Sequence, residues 1–280
     1  MGAKPVILLD DGSVMNDTRL RGPQYQRLVG EFFAPRLGGE SSAWAEANRI
    51  CIASIFEPES WRRRVQAAAQ DYASFERAYW HDWVSGMCQL VGVEAPPEAA
   101  CIELACQAET YITSRVHSAF PGAIEAIGEL HTQGYTLHTA SGASSLSLHG
   151  YLQAMGVREY FGRLYGSDLL QMLKETPTYY ERLFADAQLA PGETLIVDDS
   201  PRVLAWARDL GAMTVLVNAE RESVEGMLCI ASLAELPELV RHYTGAESAE
   251  EVPETPLHSS KNVPGTFSQD DCSNRHEETR

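Results

Sequence analysis

The sequence predicts an α/β fold: a parallel sheet whose first strand is followed by a long, all-helical insertion. Four short runs rich in apolar and β-favouring residues, at 5–9, 135–140, 194–197 and 213–217, have the character of strands buried on both faces. Segments with helical spacing, at 123–132, 178–187 and 202–210, follow or separate the later runs, which is the order of βαβ units around a parallel sheet. Residues 18–118, roughly a hundred positions between the first strand and the helix at 123, have helical patterning and no strand-like run.

The first strand ends in Asp10-Asp11-Gly12, the second in Ser141-Gly142, the third in Asp198-Asp199. Open parallel sheets bind ligands beyond the carboxyl ends of their strands, so these polar groups are the candidate chemistry of the chain. The helix at 123–132 begins after Pro121-Gly122 and ends before Gly134, a start signal and a stop signal in the expected places. In the insertion, helices are expected at 24–33, 42–53, 57–69, 74–91 and 97–114, punctuated by Gly38-Gly39, Gly92 and Pro96-Pro97. Standing just after a strand that delivers carboxylates, such an insertion would cover the site as a cap. Its Trp44, Trp61, Trp80 and Trp83 fit a helical core more readily than a ligand box, and Arg62-Arg63-Arg64 fit a solvated face more readily than a phosphate clamp.

Charge narrows the partners. The formal net charge of −17 opposes the basic face that nucleic acid requires, so no nucleic-acid partner is expected. No apolar run reaches the roughly 18 residues of a membrane span, and the start of the chain lacks a secretory pattern, so a cytoplasmic protein with no membrane partner is expected. The six cysteines form no CxxC pair and fit reduced, buried thiols. Residues 246–280 carry eight acids against three bases and few apolar groups, the composition of a disordered acidic tail. There are three lysines, Lys4, Lys174 and Lys261, so a task that needs a compact ammonium has few candidates.

Along the chain come an acidic strand end, Ser141, Lys174 and the Asp198-Asp199 pair. Phosphoryl transfer needs a nucleophile, a cation to draw off charge, and groups to hold the equatorial oxygens. The segments VILLDDGSVMND, FPGAIEAIGELHTQGYTLHTASG, FGRLYGSDLLQMLKETPTYYERLF and ETLIVDDSPRVLAWARDLGAMTVLV resemble the four motifs of the haloacid dehalogenase superfamily of hydrolases, in the branch with a helical cap after the first strand. The resemblance implies a Rossmann-like core from residues 1–17 and 119–245, with 18–118 as the cap.

The resemblance also implies roles. Asp10 would be the nucleophile that forms an aspartyl-phosphate. Ser141, with Gly142 beside it, and Lys174 would bind the phosphoryl group. Asp10, Asp199 and the backbone carbonyl of Gly12 would hold Mg²⁺, with Asp198 in a supporting place. Aligning on Asp-Gly instead would put Leu9 at the nucleophile position; aligning on the apolar run matches more positions and selects Asp10. That alignment exposes a departure, because the acid/base Asp of the family, two residues after the nucleophile, is Gly12 here. Asp11 and Asp17 are the nearby carboxyls that could replace it, though neither is expected to point the right way. The function implied is a magnesium-dependent phosphatase of a small phosphate ester. A 2-haloacid dehalogenase and a catalytically weak binding or regulatory member are the alternatives. Carbon–phosphorus hydrolysis through a cap lysine is excluded, since no lysine lies between Lys4 and Lys174.

Overall fold

The computed structural model describes residues 4–220, 224 and 227–246, which form one compact unit; the expected acidic tail lies outside the described residues. Strand β1 (Val6–Leu9) is followed by α1 (Thr18–Leu37), α2 (Ser41–Ile55), α3 (Pro58–Gln70), α4 (Tyr72–Val91), α5 (Glu98–Thr113) and α6 (Ala123–Thr132). Then come β2 (Leu137–Ala140), α7 (Ser145–Ala154), β3 (Phe161–Tyr165), α8 (Ser167–Leu170), α9 (Thr178–Ala187), β4 (Thr194–Asp198) and α10 (Pro201–Asp209). Strands β5 (Met213–Val217) and β6 (Leu228–Ile230) and helix α11 (Leu236–Ala246) complete the described chain.

All strands are parallel, in the order β3-β2-β1-β4-β5-β6. The centre of the sheet explains its composition. Strand β1 pairs on both sides, Ile7 with Leu137 and Leu195, and Leu9 with Thr139 and Val197, so no side chain of Ile7–Leu9 meets water. Ile7 and Leu9 face one apolar cluster with α6 and α7; Leu8 faces another with α9 and α10. Fully burying such side chains stabilises the fold by about 1.5–3 kcal/mol each. The register also aligns Leu9 with Val197, so the residues that follow them, Asp10 and Asp198, emerge at the same level on adjacent strands.

Two strands escaped the sequence pattern. Strand β3 lies at the edge, exposes Gly162 and Arg163, and breaks register against β2, so its residues neither alternate nor run apolar. Strand β6 is three residues long, too short for periodicity to register. Helix α1 begins at Thr18, six residues earlier than expected, with Pro23 inside it. Gly22 stands before that proline and offers no side chain to clash with its ring. Asp17 caps the helix by accepting from the Arg19 amide at 2.9 Å. No helix among the described residues is long and apolar enough to cross a membrane.

The insertion has a core of its own, in which Trp44 stacks on Phe33 (5.1 Å between centroids) and Trp83 meets Phe33 edge-on (5.8 Å). Arg62 is exposed, Arg63 faces Glu59 at 3.9 Å and Arg64 pairs with Asp82 at 3.0 Å, so the arginine run is a solvated face. Close helix crossings lock the insertion together and onto the sheet layer. A Cβ on Gly30 would lie 2.3 Å from the Ser41 carbonyl oxygen, where α1 meets α2. At Gly150, where α7 crosses α5, it would lie 1.8 Å from Thr113 Oγ1, a buried hydroxyl already donated to the Glu109 carbonyl. Gly150→Ala must push these helices apart and is expected to cost about 1–3 kcal/mol, seen as a Tm lowered by several degrees in thermal unfolding.

Candidate active site

The sequence-selected residues meet beyond the carboxyl end of the sheet. Asp10 follows β1, Asp198 ends β4 and Asp199 follows it; carboxylate oxygens of all three lie within 4.8 Å of one another. Lys174, on the segment between α8 and α9, reaches in from the other side. Its Nζ donates to Asp10 Oδ1 at 3.1 Å, to Asp198 Oδ2 at 2.5 Å and to the Ala140 carbonyl at 2.6 Å. The lysine side chain is 8% exposed, and that of Asp198 3%. Burial works against the ammonium, yet Asp10 and then Asp198 outweigh it and hold Lys174 well above the usual lysine value. Burial raises the Asp198 carboxyl, with Asp10 adding to the rise, while Lys174 and the Ser200 amide oppose it. Burial and the charge of Asp10 likewise raise Asp199, against a hydrogen bond from Ser13.

Ser141 and Gly142 complete the ring. Ser141 follows β2, the immediate neighbour of β1, and is 3% exposed. Its carbonyl accepts from the Tyr179 hydroxyl at 2.9 Å, which ties the loop to α9. A Cβ on Gly142 would touch Lys174 Cβ at 3.9 Å, so the two are neighbours. Thus the sheet and the α8–α9 segment bring Asp10, Ser141, Gly142, Lys174, Asp198 and Asp199 to one place. Within the acidic pair the roles differ structurally. Asp198 is buried and bonded to Lys174 and the Ser200 amide (2.8 Å), whereas Asp199 is exposed.

Gly12 sits in a loop knitted by Asn16. The Asn16 amide donates to Asp11 Oδ1 at 2.8 Å, Ser118 Oγ donates to Asn16 Oδ1 at 2.9 Å, and the Ser13 amide donates to the Asn16 carbonyl at 2.9 Å. Ser13 is left-handed (φ 62°), a conformation that costs a side-chain-bearing residue of order 1–3 kcal/mol and persists because this loop over-determines it. Neither nearby carboxyl is free for acid–base work. Asp11 is 1% exposed and pairs with Arg21 at 2.8 Å, and Asp17 is taken by the α1 cap and by Arg19. Three carboxylates so close together form an all-oxygen donor set of the kind hard divalent cations take, so the residues present fit Mg²⁺.

Above this ring a cavity of about 860 Å³ separates the insertion from the sheet layer, with Gly142 and Lys174 on its floor. It holds residues that the sequence did not single out. Arg21 lies over the Tyr151 ring (3.9 Å), and its approach to Asp11 is off the line of its N–H bonds, leaving Nε and Nη2 without hydrogen bonds. Glu109 is 5% exposed and accepts from Ser147 and from the Tyr25 hydroxyl. These positions carry no local sequence signal: each becomes polar wall only when α1, α5 and α7 cross.

A profile of the haloacid dehalogenase-like hydrolases matches residues 93–217, a span that holds Ser141, Lys174, Asp198 and Asp199. Over that span, somewhat less than half of its length, the chain is similar to that family. Curated relatives include an (S)-2-haloacid dehalogenase of Pseudomonas, 26% identical over 45% of this chain and 58% of the relative. A phosphoglycolate phosphatase of Vibrio vulnificus is 30% identical over 33% of this chain and 40% of the relative. The matches thus span about half the length of these relatives. Among solved structures, Bacillus subtilis YfnB bound to magnesium matches 85% of this chain and 99% of its own, with TM-score 0.55 and 18% identity. The L-2-haloacid dehalogenase of Xanthobacter autotrophicus matches 86% and 99%, with TM-score 0.54 and 18% identity. At that identity these structures speak for the fold.

Burial, chiefly, raises the Glu109 carboxyl, while Ser147, Tyr25 and Arg21 pull it down. The folded state therefore keeps a proton that the unfolded chain has released. The stability this contributes is complete below the ordinary glutamate value and is lost as pH rises through the folded value. Glu109→Gln, neutral at every pH, is expected to flatten the fall of Tm with rising pH above 4.5, measured by thermal unfolding across a pH series.

Proposed function

We propose that the protein is a magnesium-dependent phosphatase that hydrolyses a small phosphate monoester through an aspartyl-phosphate on Asp10. The observation that carries this reading is the convergence of Asp10, Asp198 and Asp199 on one point with a buried lysine between them. In this reading Asp10, Asp199 and the Gly12 carbonyl, supported by Asp198, would hold Mg²⁺, which when bound draws negative charge from the phosphoryl oxygens. The Asp10 carboxylate attacks phosphorus and the bond to the leaving oxygen breaks. Lys174, paired with Asp10 and Asp198, holds the attacking carboxylate in place and offers charge to the transferring group. Ser141 and the Gly142 backbone bind the phosphoryl oxygens. Water then cleaves the acyl phosphate, releasing inorganic phosphate and restoring Asp10. The insertion acts as the cap that keeps bulk water out.

Gly12 shapes the expected rate. With Asp11 and Asp17 engaged elsewhere, no side chain at that loop protonates the leaving oxygen. Such help is worth about 10²–10⁴-fold, so esters with good leaving groups are favoured. A 2-haloacid dehalogenase would also dispense with that acid, because halide departs unprotonated, but it needs no cation and so leaves the clustering of three carboxylates without a charge to hold.

The test is hydrolysis of p-nitrophenyl phosphate with and without Mg²⁺. Turnover is expected with the metal, lost on adding EDTA, and reduced at least about 10³-fold in Asp10→Asn. Halide release from 2-chloropropionate that persists in EDTA would overturn the reading in favour of a dehalogenase, and inactivity on both substrates would favour a binding protein. A Cβ at Gly12 would meet nothing closer than Thr18 Cγ2 at 3.5 Å, so a side chain can begin there without a clash. Gly12→Asp is expected to raise kcat on alkyl phosphates by about 10²-fold or more, read from phosphate release.

A further inference from the structure

The cavity beside Lys174 and Gly142 is far larger than a phosphoryl group needs, and its walls are specific in character. One face of α4 carries Tyr72, Phe75, Tyr79 and Trp83, at spacings of three and four, and Trp80 joins them. Their rings form a continuous series: Tyr72–Phe75 at 5.6 Å, Phe75–Tyr79 at 6.2 Å, Tyr79–Trp80 at 5.3 Å and Trp80–Trp83 at 6.1 Å. Trp61 stands on α3, packed on Phe56 at 4.8 Å and hydrogen-bonded to Glu175 at 3.3 Å. This stripe bridges two separate apolar clusters of the insertion, and the cavity runs alongside it.

The cations of the cavity are already matched by carboxylates. Its cations are Arg21, Arg49 and Lys174, and each is paired with a carboxylate, Asp11, Glu46 and Asp10 respectively. Its polar side chains are largely engaged as well: Asn48 accepts from Trp83 Nε1 at 2.8 Å, Ser144 and Ser147 bond each other at 2.9 Å, and Glu109 accepts from Ser147 and Tyr25. A substrate with a second anionic group finds no cation without a carboxylate beside it, Arg21 keeping only its buried Nε and Nη2 unbonded, and a polyhydroxylated one finds few free partners for its hydroxyls.

The geometry points to a phosphate monoester of a neutral, aromatic alcohol, with the ring seated on the α4 stripe and the phosphoryl group at Lys174 and Gly142. This rests on the phosphatase reading above and deepens it. Two independent features agree on this class. The cavity supplies aromatic surface, on which a flat ring stacks at little entropic cost. The loop with Gly12 supplies no acid, and a phenolate is a far better leaving group than an alkoxide. In the step itself the Asp10 oxygen–phosphorus bond forms as the phosphorus–aryl oxygen bond breaks. The bonding pair leaves with the phenolate, which takes its proton from water after departure.

The experiment compares 1-naphthyl phosphate with acetyl phosphate and phosphoglycolate on the full chain with Mg²⁺. Acetyl phosphate is the control for leaving-group chemistry, because acetate also leaves without a proton but has no ring. 1-Naphthyl phosphate is expected to show a KM at least tenfold below that of acetyl phosphate, and phosphoglycolate the lowest kcat/KM. In Tyr79→Ala, or in Trp61→Ala if the first fails to fold, the KM gap is expected to shrink to threefold or less. A gap within threefold in the parent enzyme, or one unchanged in both variants, overturns the inference and leaves the phosphatase reading standing. Should no ester be hydrolysed, calorimetric titration with 1-naphthol separates the two. Saturable binding weakened at least tenfold in the variants upholds the aromatic site while the phosphatase reading falls, and absence of binding overturns the aromatic site as well.

Discussion

One ammonium among three carboxylates is the constraint from which the rest of the site follows. Asp10, Asp198 and Asp199 project from the ends of two adjacent central strands, where backbone register leaves them no room to separate. Like charges so close, and partly out of water, are unfavourable without a counter-charge. Lys174 supplies it from a buried position, with a third bond to the Ala140 carbonyl completing its donors. That placement fixes the path of the α8–α9 segment and, through Tyr179, the loop after β2. A cation drawn to the exposed side, where Asp199 lies, would share the same negative field. The site is therefore an arrangement in which a missing positive charge is felt at once by every strand end around it.

The sequence disclosed this centre well because strand ends and rare residues are legible in one dimension. Apolar runs that stop at Asp10, Ser141 and Asp198 announce their direction and their terminus, and in a chain with three lysines Lys174 has little competition. The insertion helices were legible from their spacing, with α1 the exception because Gly22-Pro23 imitates a stop signal inside a helix. The edge strand β3 was hidden because an edge needs neither alternation nor continuous burial. The acidic loop posed the opposite difficulty. Asp11 and Asp17 stand near enough in sequence to be considered, with neither expected to point the right way, and the partners that engage them, Arg21 and a helix cap, exist only once α1 is placed.

The aromatic residues of the insertion show where periodicity stops being informative. A stripe at three- and four-residue spacing is the signature of a helix with one apolar face, and the same spacing serves a packed core and the wall of a hollow. Trp44 is buried wholly in the core, as expected, while Trp61, Trp80 and the equally buried Trp83 also line the cavity. What decides between them is the curvature of neighbouring helices, set by contacts such as Gly30 against Ser41, and none of this is local to the stripe.

The Asp11–Arg21 pair has a mechanical side. Arg21 belongs to the first turns of α1, where the insertion leaves the sheet, and Asp11 is bonded in sequence to Asp10, the proposed nucleophile. If the insertion swings outward, this ion pair must either stretch or drag the Asp10–Asp11 peptide with it, and stretching strands a carboxylate that is 1% exposed. The ion pair thus ties the position of the insertion to the backbone at Asp10, so that any outward swing would be felt first at the strand end.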